Sequence, residues 1–453
     1  MMELKNKRVL VVGLGKSGLA AAMFLRDRGA RVTVSDTRSA QALAKDIPAL
    51  LEAGIMVESG GHGLLTFRRQ DLIVVSPGVP LTTPEVAQAI RNGLPVIGEL
   101  ELASRFLEGK TVAITGSNGK TTTTTLTGKI FADAGRQTLV GGNIGLPVIE
   151  LIAESTPESW DVLEVSSFQL ETIAEFKPHI AAVLNLTPDH LDRHGSFAQY
   201  AAAKARITEN QGPEDYLVLN AEDVATQKIA GKTKAQIYWF SGRRQIKQGA
   251  FVHGESVFFT EKEGGKPEPI LPVVEIGLKG AHNIENVLAA VTMARLAGIS
   301  AESIRRSVAS FHAVEHRLEF VRTLDGVDYF NDSKATNVDA TIKAVESFPG
   351  GVHLILGGKD KDSDYTQLAG LLRERVKTVY TIGSAAEKIE HQLAGVVKIV
   401  SAKTIAVALS DASQAAVAGD VVLLAPACSS FDQFENYEHR GRVFRELVLG
   451  LKE

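Results

Sequence analysis

The sequence contains one cysteine and no long apolar run, and neither sign of charge dominates it. The lone Cys428 excludes an internal disulfide and a zinc site built from thiolates, and it favours a reducing compartment. No segment approaches ~20 consecutive apolar residues, so no membrane-spanning helix is expected. The formal net charge of −4 gives no sign of a nucleic-acid partner, which usually requires a basic patch. Because the apolar run before Gly13 is too short for a signal peptide, we expect a cytoplasmic protein.

Apolar, β-branched segments alternate with amphipathic, helix-length segments along nearly the whole chain of 453 residues. This alternation predicts an α/β fold with parallel sheets, and the length predicts about three domains. We expect a Rossmann-like domain at 1–98, a central P-loop mononucleotide-binding parallel sheet at 99–313 and a second Rossmann-like domain at 314–453. In the central domain, 249–260 is predicted to form a hairpin and 263–269 a surface loop.

A glycine-rich turn, VVGLGKSG, lies between the first predicted strand and the first predicted helix. Gly13, Gly15 and Gly18 have the G-x-G-x-x-G spacing, and Asp36 ends the next strand, where an acid that binds a ribose would lie. Taken alone, this pattern indicates an NAD or FAD enzyme. Glycines also permit tight packing of a strand against a helix, and a helix N-terminus suits any diphosphate. Both interpretations stay open from the pattern itself.

A second glycine-rich turn, TGSNGKTT, follows a predicted strand and precedes a helix. Gly116 and Gly119 lie closer together than the glycines of a G-x-x-x-x-G-K-[ST] loop, whose first glycine would fall at Ile114. The glycines let backbone N–H groups turn towards a phosphate, Lys120 brings a positive charge, and the Thr121 hydroxyl can bind Mg²⁺. The sequence G-K-T-T at a strand–helix junction disfavours the alternative, a glycine turn with an unrelated lysine.

Polar residues also follow two later strands of the central domain. Glu164 ends the strand of WDVLE, and His190 lies in LTPDHLDRHG, after the next strand. In open parallel sheets ligands bind beyond the carboxyl ends of the strands, so we expect both side chains to converge with Lys120 and Thr121 on one crevice. Taken singly, an acid at a strand end is usually solvated and a histidine is usually structural.

Three polar loops follow predicted strands of the third domain. One carries Asp332 and Lys334, and the sequences of the three loops are NDSKATN, LGGKDKDSD and PACSSFDQFENYEHRG. Such loops can be ordinary surface turns, but three of them at the ends of parallel strands favour a second ligand-binding edge. The motif HRLE at the domain junction places Arg317 where it can reach the crevice.

Together with GGNIG and GAHNIEN, these motifs occur in the order typical of the Mur ligases, and the resemblance covers essentially the whole chain. That family's own phosphate loop has the shortened G-x-x-G-K-T form. Within the family, the motifs VGLGKSG, VSSFQLE and SSFDQF resemble those of the members that add D-glutamate to UDP-N-acetylmuramoyl-L-alanine in peptidoglycan synthesis. The resemblance implies that ATP converts the substrate carboxylate to an acyl phosphate, which the amine of D-glutamate attacks to form an amide.

The resemblance also implies roles for individual residues. The expected ligands for two Mg²⁺ sites, with the lysine carbamylated, are Thr121, Glu164, His190 and Lys204. The residues expected to contact ATP are Gly116, Ser117, Asn118, Gly119, Lys120, Thr121, Thr122, Asn286, Arg317 and Asp332. The residues expected to act in catalysis are Lys120, His190, Lys204, Arg317 and Lys334.

Under this resemblance the first glycine turn binds the uridine diphosphate of the substrate instead of a dinucleotide. The expected contacts to this substrate are Gly15, Lys16, Ser17, Asp36, Thr37, Arg38, Ser76, Gly78, Asn143 and Gln169. The expected contacts to D-glutamate are Thr336, Lys361, Ser430 and Tyr437. We expect a monomer that binds these small molecules, without nucleic-acid partners or membrane insertion.

Three alternatives remain from the sequence. A sister ligase of the same superfamily, such as a folate polyglutamylating enzyme, would share the central loop but should lack GLGKSG and SSFDQF. An NAD-dependent oxidoreductase would use the first glycine turn. A non-catalytic nucleotide-binding module is disfavoured because Lys120, Glu164 and His190 are all present.

Overall fold

The computed structural model describes residues 2–278, 280–311 and 316–452. These residues form two compact units. One consists of the residues up to Leu186 together with Ala201–Pro272 and Asn286–Val308. The other consists of Thr187–Tyr200, Val273–Glu285 and the residues from Ala309 onwards. The predicted boundary between 313 and 314 lies outside the described residues.

The first unit begins with a five-stranded sheet of order β3-β2-β1-β4-β5, in which every neighbouring pair is parallel. Its strands are β1 (Arg8–Val12), β2 (Arg31–Asp36), β3 (Met56–Ser59), β4 (Leu72–Val75) and β5 (Val96–Gly98). Its helices are α1 (Lys16–Asp27), α2 (Ile47–Glu52), α3 (Leu64–Arg68), α4 (Pro84–Arg91) and α5 (Glu99–Ser104). The central strand β1 is apolar and buried from Val9 to Val12, as expected for a parallel sheet covered on both faces.

The same unit contains a nine-stranded sheet of order β14-β13-β12-β11-β10-β9-β6-β8-β7. Its strands are β6 (Lys110–Thr115), β7 (Thr138–Gly142), β8 (Trp160–Glu164), β9 (Ile180–Val183), β10 (Tyr216–Asn220), β11 (Gln236–Ser241), β12 (Gly249–His253), β13 (Ser256–Thr260) and β14 (Glu268–Pro272). The pairs from β7 to β12 are parallel, and the remaining two pairs are antiparallel.

The predicted hairpin is confirmed as β12 and β13, but the loop prediction for 263–269 is partly wrong. The edge strand β14 already begins at Glu268 and pairs with β13. Ile270 and Leu271 are buried there, and their burial outweighs the turn signal of the neighbouring prolines, which an edge strand tolerates.

The helices between β6 and the third sheet are short except for α6, which follows the second glycine turn, and α12. They are α6 (Lys120–Asp133), α7 (Val148–Leu151), α8 (Ser167–Leu170), α9 (Leu191–His194), α10 (Phe197–Ala205), α11 (Val224–Ala230), α12 (Ala281–Leu296) and α13 (Ala301–Ala309). None of the helices in the described ranges combines the length and the apolar character that a membrane span requires.

The second unit contains a six-stranded sheet of order β15-β16-β20-β17-β18-β19, parallel except for the pair β15–β16. Its strands are β15 (Glu319–Leu324), β16 (Val327–Asn331), β17 (Val352–Gly357), β18 (Val376–Ile382), β19 (Lys398–Lys403) and β20 (Val421–Leu424). Its helices are α14 (Val338–Glu346), α15 (Ala369–Arg375), α16 (Ala386–Gln392), α17 (Ile405–Ala415) and α18 (Tyr437–Leu449). Alternate residues of β17 enter two different hydrophobic clusters, so both faces of this sheet are covered.

Strand order decides which loops are neighbours. In the central sheet, β6 lies between β9 and β8, so the second glycine turn and Glu164 follow adjacent parallel strands. In the third sheet, β16, β20 and β17 are adjacent, and these are the strands followed by the three polar loops. The prediction of a parallel-rich α/β fold is confirmed.

Candidate functional site

The second glycine turn connects β6 directly to α6, whose first residue is Lys120. Gly119 has φ +82°, a backbone conformation that strongly favours glycine. A Cβ atom at this position would lie 2.2 Å from Oδ1 of Asn286, a side chain of α12. The close approach of Asn286 therefore gives a second, independent reason for glycine at this point.

Asn185, which follows β9, holds the glycine turn in place. Its carbonyl O accepts from Ser117 N at 2.9 Å, its Oδ1 accepts from Asn118 N at 2.8 Å, and its Nδ2 donates to Asn118 O at 3.1 Å. Lys120 Nζ lies over the same turn and donates to the carbonyls of Gly116 and Ser117, each at 2.9 Å. Sequence reasoning missed Asn185, although it directly precedes the stretch LTPDHLDRHG that contains His190.

Glu164 is hydrogen-bonded to two other predicted site residues, Thr121 and Asn143, which lie in different segments of the chain. The side chain is fully buried, its Oε2 accepts from Thr121 Oγ1 at 2.8 Å, and its Oε1 accepts from Asn143 Nδ2 at 2.8 Å. A buried carboxylate beside a helix-start hydroxyl is a donor set that suits Mg²⁺ on a nucleotide. The buried Thr122 hydroxyl, next along the helix, has no hydrogen-bond partner in the described structure.

The four predicted metal ligands do not form one group in either unit. Lys204, on α10, is 2 % exposed and donates from Nζ to Thr115 Oγ1 at 3.3 Å, at the end of β6. Thr121, Glu164 and Lys204 belong to the first unit, and His190 belongs to the second. Across the described residues, no three or more His, Cys, Asp or Glu side chains are grouped so that they could hold a metal ion.

The first glycine turn has two glycines that packing requires and one that it does not. A Cβ atom on Gly18 would lie 2.0 Å from Gly13 O, and Ser76 Oγ donates to the same carbonyl at 2.7 Å. A Cβ atom on Gly15 would meet nothing within 4 Å, and its φ of −83° suits any residue. Gly15 thus faces open space at the start of α1, where a ligand can approach the backbone.

Asp36 and Arg38 form a pair beside this turn. Arg38 Nη2 lies 2.9 Å from Asp36 Oδ2, which also accepts from Leu14 N at 2.6 Å, and Arg38 donates to Leu14 O at 2.7 Å. Burial of Asp36 opposes its ionisation, but hydrogen bonds from Arg38 and Leu14 outweigh it and lower its pKa to about 2. Both groups are therefore charged at neutral pH.

The remaining predicted contacts of the first unit lie on several of its helices and turns. Lys16, at the start of α1, donates from Nζ to Gly145 O at 2.6 Å, close to Asn143 in the chain. Gln169 closes a capping box with Ser166 at the start of α8. The others occupy the first turn of α1, the residue after β2 and the turn after β4, and they are Ser17, Thr37 and Gly78.

In the second unit, Asp332 and Arg317 carry buried polar atoms without hydrogen-bond partners. These are Asp332 Oδ1 and Arg317 Nε, among the residues that the structure describes. Burial raises the pKa of Asp332 to about 6, against the opposing charge of Arg317. Unsatisfied buried polar atoms are rare and call for an explanation, and a polar ligand supplies one.

The predicted amino-acid contacts lie on the three loops of this unit and at the start of α18. Lys361 Nζ lies 3.1 Å from Asp189 Oδ1, and Asn337 Nδ2 donates to Asp189 Oδ2 at 3.2 Å. Lys334 Nζ lies over the ring of Tyr437, 3.7 Å from its centroid. The other two, placed in the loops after β16 and β20, are Thr336 and Ser430.

Three models of protein families match successive parts of the chain. They are "Mur ligase MurD-like, N-terminal domain" at 7–98, "Mur ligase middle domain" at 114–294 and "Mur ligase, glutamate ligase domain" at 316–428. Among solved structures, MurF ligase from Thermotoga maritima in complex with ADP is similar with a TM-score of 0.61 and 16 % identity over 99 % of each chain. UDP-N-acetylmuramate-alanine ligase MurC from Thermotoga maritima is similar with a TM-score of 0.60 and 18 % identity, covering 99 % of this chain and 100 % of that one. At these identities the two structures support the fold.

Two relatives named UDP-N-acetylmuramoylalanine–D-glutamate ligase are much more similar in sequence. The protein from Acidobacterium capsulatum is 66 % identical over 99 % of this chain and 97 % of its own length. The protein from Koribacter versatilis is 59 % identical over 100 % of this chain and 99 % of its own length. With the family models matched along its length, the chain belongs to the Mur ligase family.

Proposed function

We propose that the chain is an ATP-dependent ligase that adds D-glutamate to UDP-N-acetylmuramoyl-L-alanine through an acyl phosphate, a step of peptidoglycan precursor synthesis. The names of the relatives that cover the whole chain support this choice of substrates. The observation that carries the ATP-dependent chemistry is the buried contact of Thr121 with Glu164 directly behind the glycine turn that carries Lys120.

The chemistry requires positive charge at two anions. A carboxylate is a poor electrophile because its oxygen is a poor leaving group, and phosphorylation by ATP removes this obstacle. The amine of D-glutamate then attacks the acyl carbon, and inorganic phosphate leaves as the amide forms. Lys120, Arg317 and Lys334 would stabilise the charge on the transferred phosphoryl group and the carboxylate.

Mg²⁺ and a modified lysine belong to the same proposal. Thr121 and Glu164 would hold one ion, and His190 and Lys204 would contribute to a second site. Bound Mg²⁺ would neutralise negative charge on the phosphates of ATP. Lys204 would be carbamylated, which replaces its positive charge by a negative one that suits a metal.

The uridine diphosphate and D-glutamate would bind at separate places, one in the first unit and one in the second. The turn at Gly15, together with Asp36 and Arg38, would bind the uridine diphosphate, because Gly15 leaves its backbone open. Lys361, with the residues around it in the second unit, would bind D-glutamate. We further propose domains at 1–98, 99–313 and 314–453 and a cytoplasmic, monomeric enzyme.

A pair of glycine variants separates packing from ligand binding at the first turn. Gly18→Ala should lower the free energy of unfolding by about 2 kcal/mol, because its methyl group meets the Gly13 carbonyl. Gly15→Ala should leave stability unchanged and raise KM for the UDP-linked substrate about tenfold, the equivalent of ~1.4 kcal/mol. Chemical denaturation and steady-state kinetics measure the two effects. An unchanged KM in Gly15→Ala would contradict this placement of the diphosphate.

The function is tested by phosphate release from ATP in the presence of UDP-N-acetylmuramoyl-L-alanine, Mg²⁺ and bicarbonate. D-glutamate, L-glutamate, L-lysine, meso-diaminopimelate and L-alanine are offered one at a time. We expect release with D-glutamate only, and a product mass that corresponds to the amide. Release with another amino acid would retain the chemistry and change the substrate. No release with any of them would refute the proposed ligase activity.

A further inference from the structure

We infer that Arg440, a residue of α18, positions the loops of the amino-acid pocket and places a fixed positive charge behind them. This inference rests on the proposed binding of D-glutamate in the second unit. Arg440 did not stand out in the sequence, where it is one of several charged residues in NYEHRGRVF. Its side chain is nevertheless completely buried, which is rare for arginine.

The guanidinium group of Arg440 connects two of the three polar loops. Its Nε donates to Ser333 Oγ at 3.0 Å and its Nη2 to Ser333 O at 2.8 Å. On the loop after β20, Nη2 donates to Cys428 O at 3.2 Å and Nη1 to Ser429 O at 3.4 Å. A planar fork of several N–H donors can satisfy such divergent acceptors at once, whereas a lysine ammonium group cannot reproduce this geometry.

The third polar loop, which follows β17, is hydrogen-bonded to the loop that follows β20. Lys359 and Ser429 exchange backbone hydrogen bonds of 2.9 and 3.1 Å. A Cβ atom on Gly358 would lie 2.3 Å from Ser429 O and 3.1 Å from Arg440 Nη1. The loops after β16, β20 and β17 therefore meet around one guanidinium group.

Each loop carries a predicted contact to the amino acid within a few residues of this junction. Thr336 follows Ser333, Ser430 is next to Ser429, and Lys361 lies two residues beyond Lys359. Tyr437 is linked as well, since its carbonyl accepts from Ser333 Oγ at 2.8 Å. A change in the shape or length of the Arg440 side chain would therefore move several contacts of the pocket together.

The charge of Arg440 has an unusual environment. Its hydrogen bonds run to carbonyl and hydroxyl oxygens, and the negative charge of Asp432 acts on it without a hydrogen bond in the described part of the chain. Burial lowers the pKa of the guanidinium to about 10, so it still carries its charge at neutral pH. A buried cation attracts anions, and D-glutamate brings two carboxylates.

The test compares Arg440→Lys and Arg440→Gln with the same two changes at Arg442, an exposed residue of the same helix. Steady-state kinetics give kcat and KM for each substrate in turn. We expect KM for D-glutamate to rise about tenfold in Arg440→Lys and about 100-fold in Arg440→Gln, with KM for ATP and for the UDP-linked substrate within about twofold. The Arg442 variants should match the wild type.

Two outcomes would overturn the inference. One is an unchanged KM for D-glutamate in either folded Arg440 variant, and the other is a rise of all three KM values together, as a purely structural role predicts. Should thermal unfolding show that Arg440→Gln does not fold, Arg440→Lys and Ser333→Ala decide the matter. Ser333→Ala removes the hydroxyl that accepts from Arg440 Nε and donates to the Tyr437 carbonyl, and it should raise KM for D-glutamate about threefold.

The amino acid that the wild-type protein accepts distinguishes a failure of the proposed function from a failure of this inference. Wild-type protein that works with a different amino acid would refute D-glutamate as the substrate. The same comparison of KM values, made with the accepted amino acid, would still support or overturn the positioning role of Arg440.

Discussion

Replacement of Lys120 by alanine is expected to lower kcat for ATP-dependent amide formation by about 10³-fold, the loss typical of removing one group that stabilises developing charge. In the structure Lys120 Nζ lies over the glycine turn, 2.9 Å from the carbonyls of Gly116 and Ser117. Its charge is therefore held where the phosphates of ATP would meet the first turn of α6. Without it, the transferred phosphoryl group loses a cation that Thr121 and Glu164 cannot replace.

Lys129→Ala is the matched control, because Lys129 lies on the same helix and pairs with Asp133 at the surface. It should retain wild-type activity. Thermal unfolding of both variants checks that the helix is intact. A kcat for Lys120→Ala within about tenfold of the wild type would show that this lysine does not serve phosphoryl transfer.

The stability of the first unit is expected to fall as pH rises towards 8, because of one buried carboxyl group. Glu99, at the start of α5, is 1 % exposed, and its Oε2 has no hydrogen-bond partner in the described structure. Burial raises its pKa from 4.5 to about 7, against the opposing backbone N–H of Ile149. The folded state thus holds a proton that the unfolded state releases over this range.

A carboxyl group whose pKa is raised by folding stabilises the folded state fully at a pH below its pKa in the unfolded state. This stabilisation is lost as the pH rises through its pKa in the folded state. The shift from 4.5 to about 7 corresponds to a loss of ~3 kcal/mol between about pH 4.5 and pH 8. Glu99→Gln should remove this loss, because an amide resembles the neutral acid and does not ionise. The variant should equal the wild type near pH 4.5 and exceed it in stability near pH 8.

Denaturant unfolding followed by tryptophan fluorescence measures this difference, since Trp160 and Trp239 both belong to the first unit. Glu52→Gln, an exposed change on α2 of the same unit, is the control and should keep the wild-type pH dependence. Parallel pH profiles for Glu99→Gln and the wild type would disprove the role of Glu99.

The sequence by itself determined the elements whose signals are local. Both glycine turns between a strand and a helix, the hairpin at 249–260 and most strands of the third sheet could be predicted, because apolar periodicity and glycine spacing act over a few residues. Local signals did not predict β3, β7, β11, β14 or β15. β15 pairs antiparallel with β16 in an otherwise parallel sheet. The direction of this pairing depends on contacts with another strand and not on the local sequence of β15.

Only the tertiary structure decided which distant residues meet. Asn185 fastens a turn that lies 67 positions away in the chain, and Arg440 reaches Ser333 across 107 positions. Neither residue differs, in its local sequence, from an ordinary polar residue at the end of a strand or on a helix. Their roles arise because the order of strands brings particular loops together, and burial then makes each unpaired donor and acceptor costly. Local patterns identify the loops, whereas long-range packing selects the side chains that hold them.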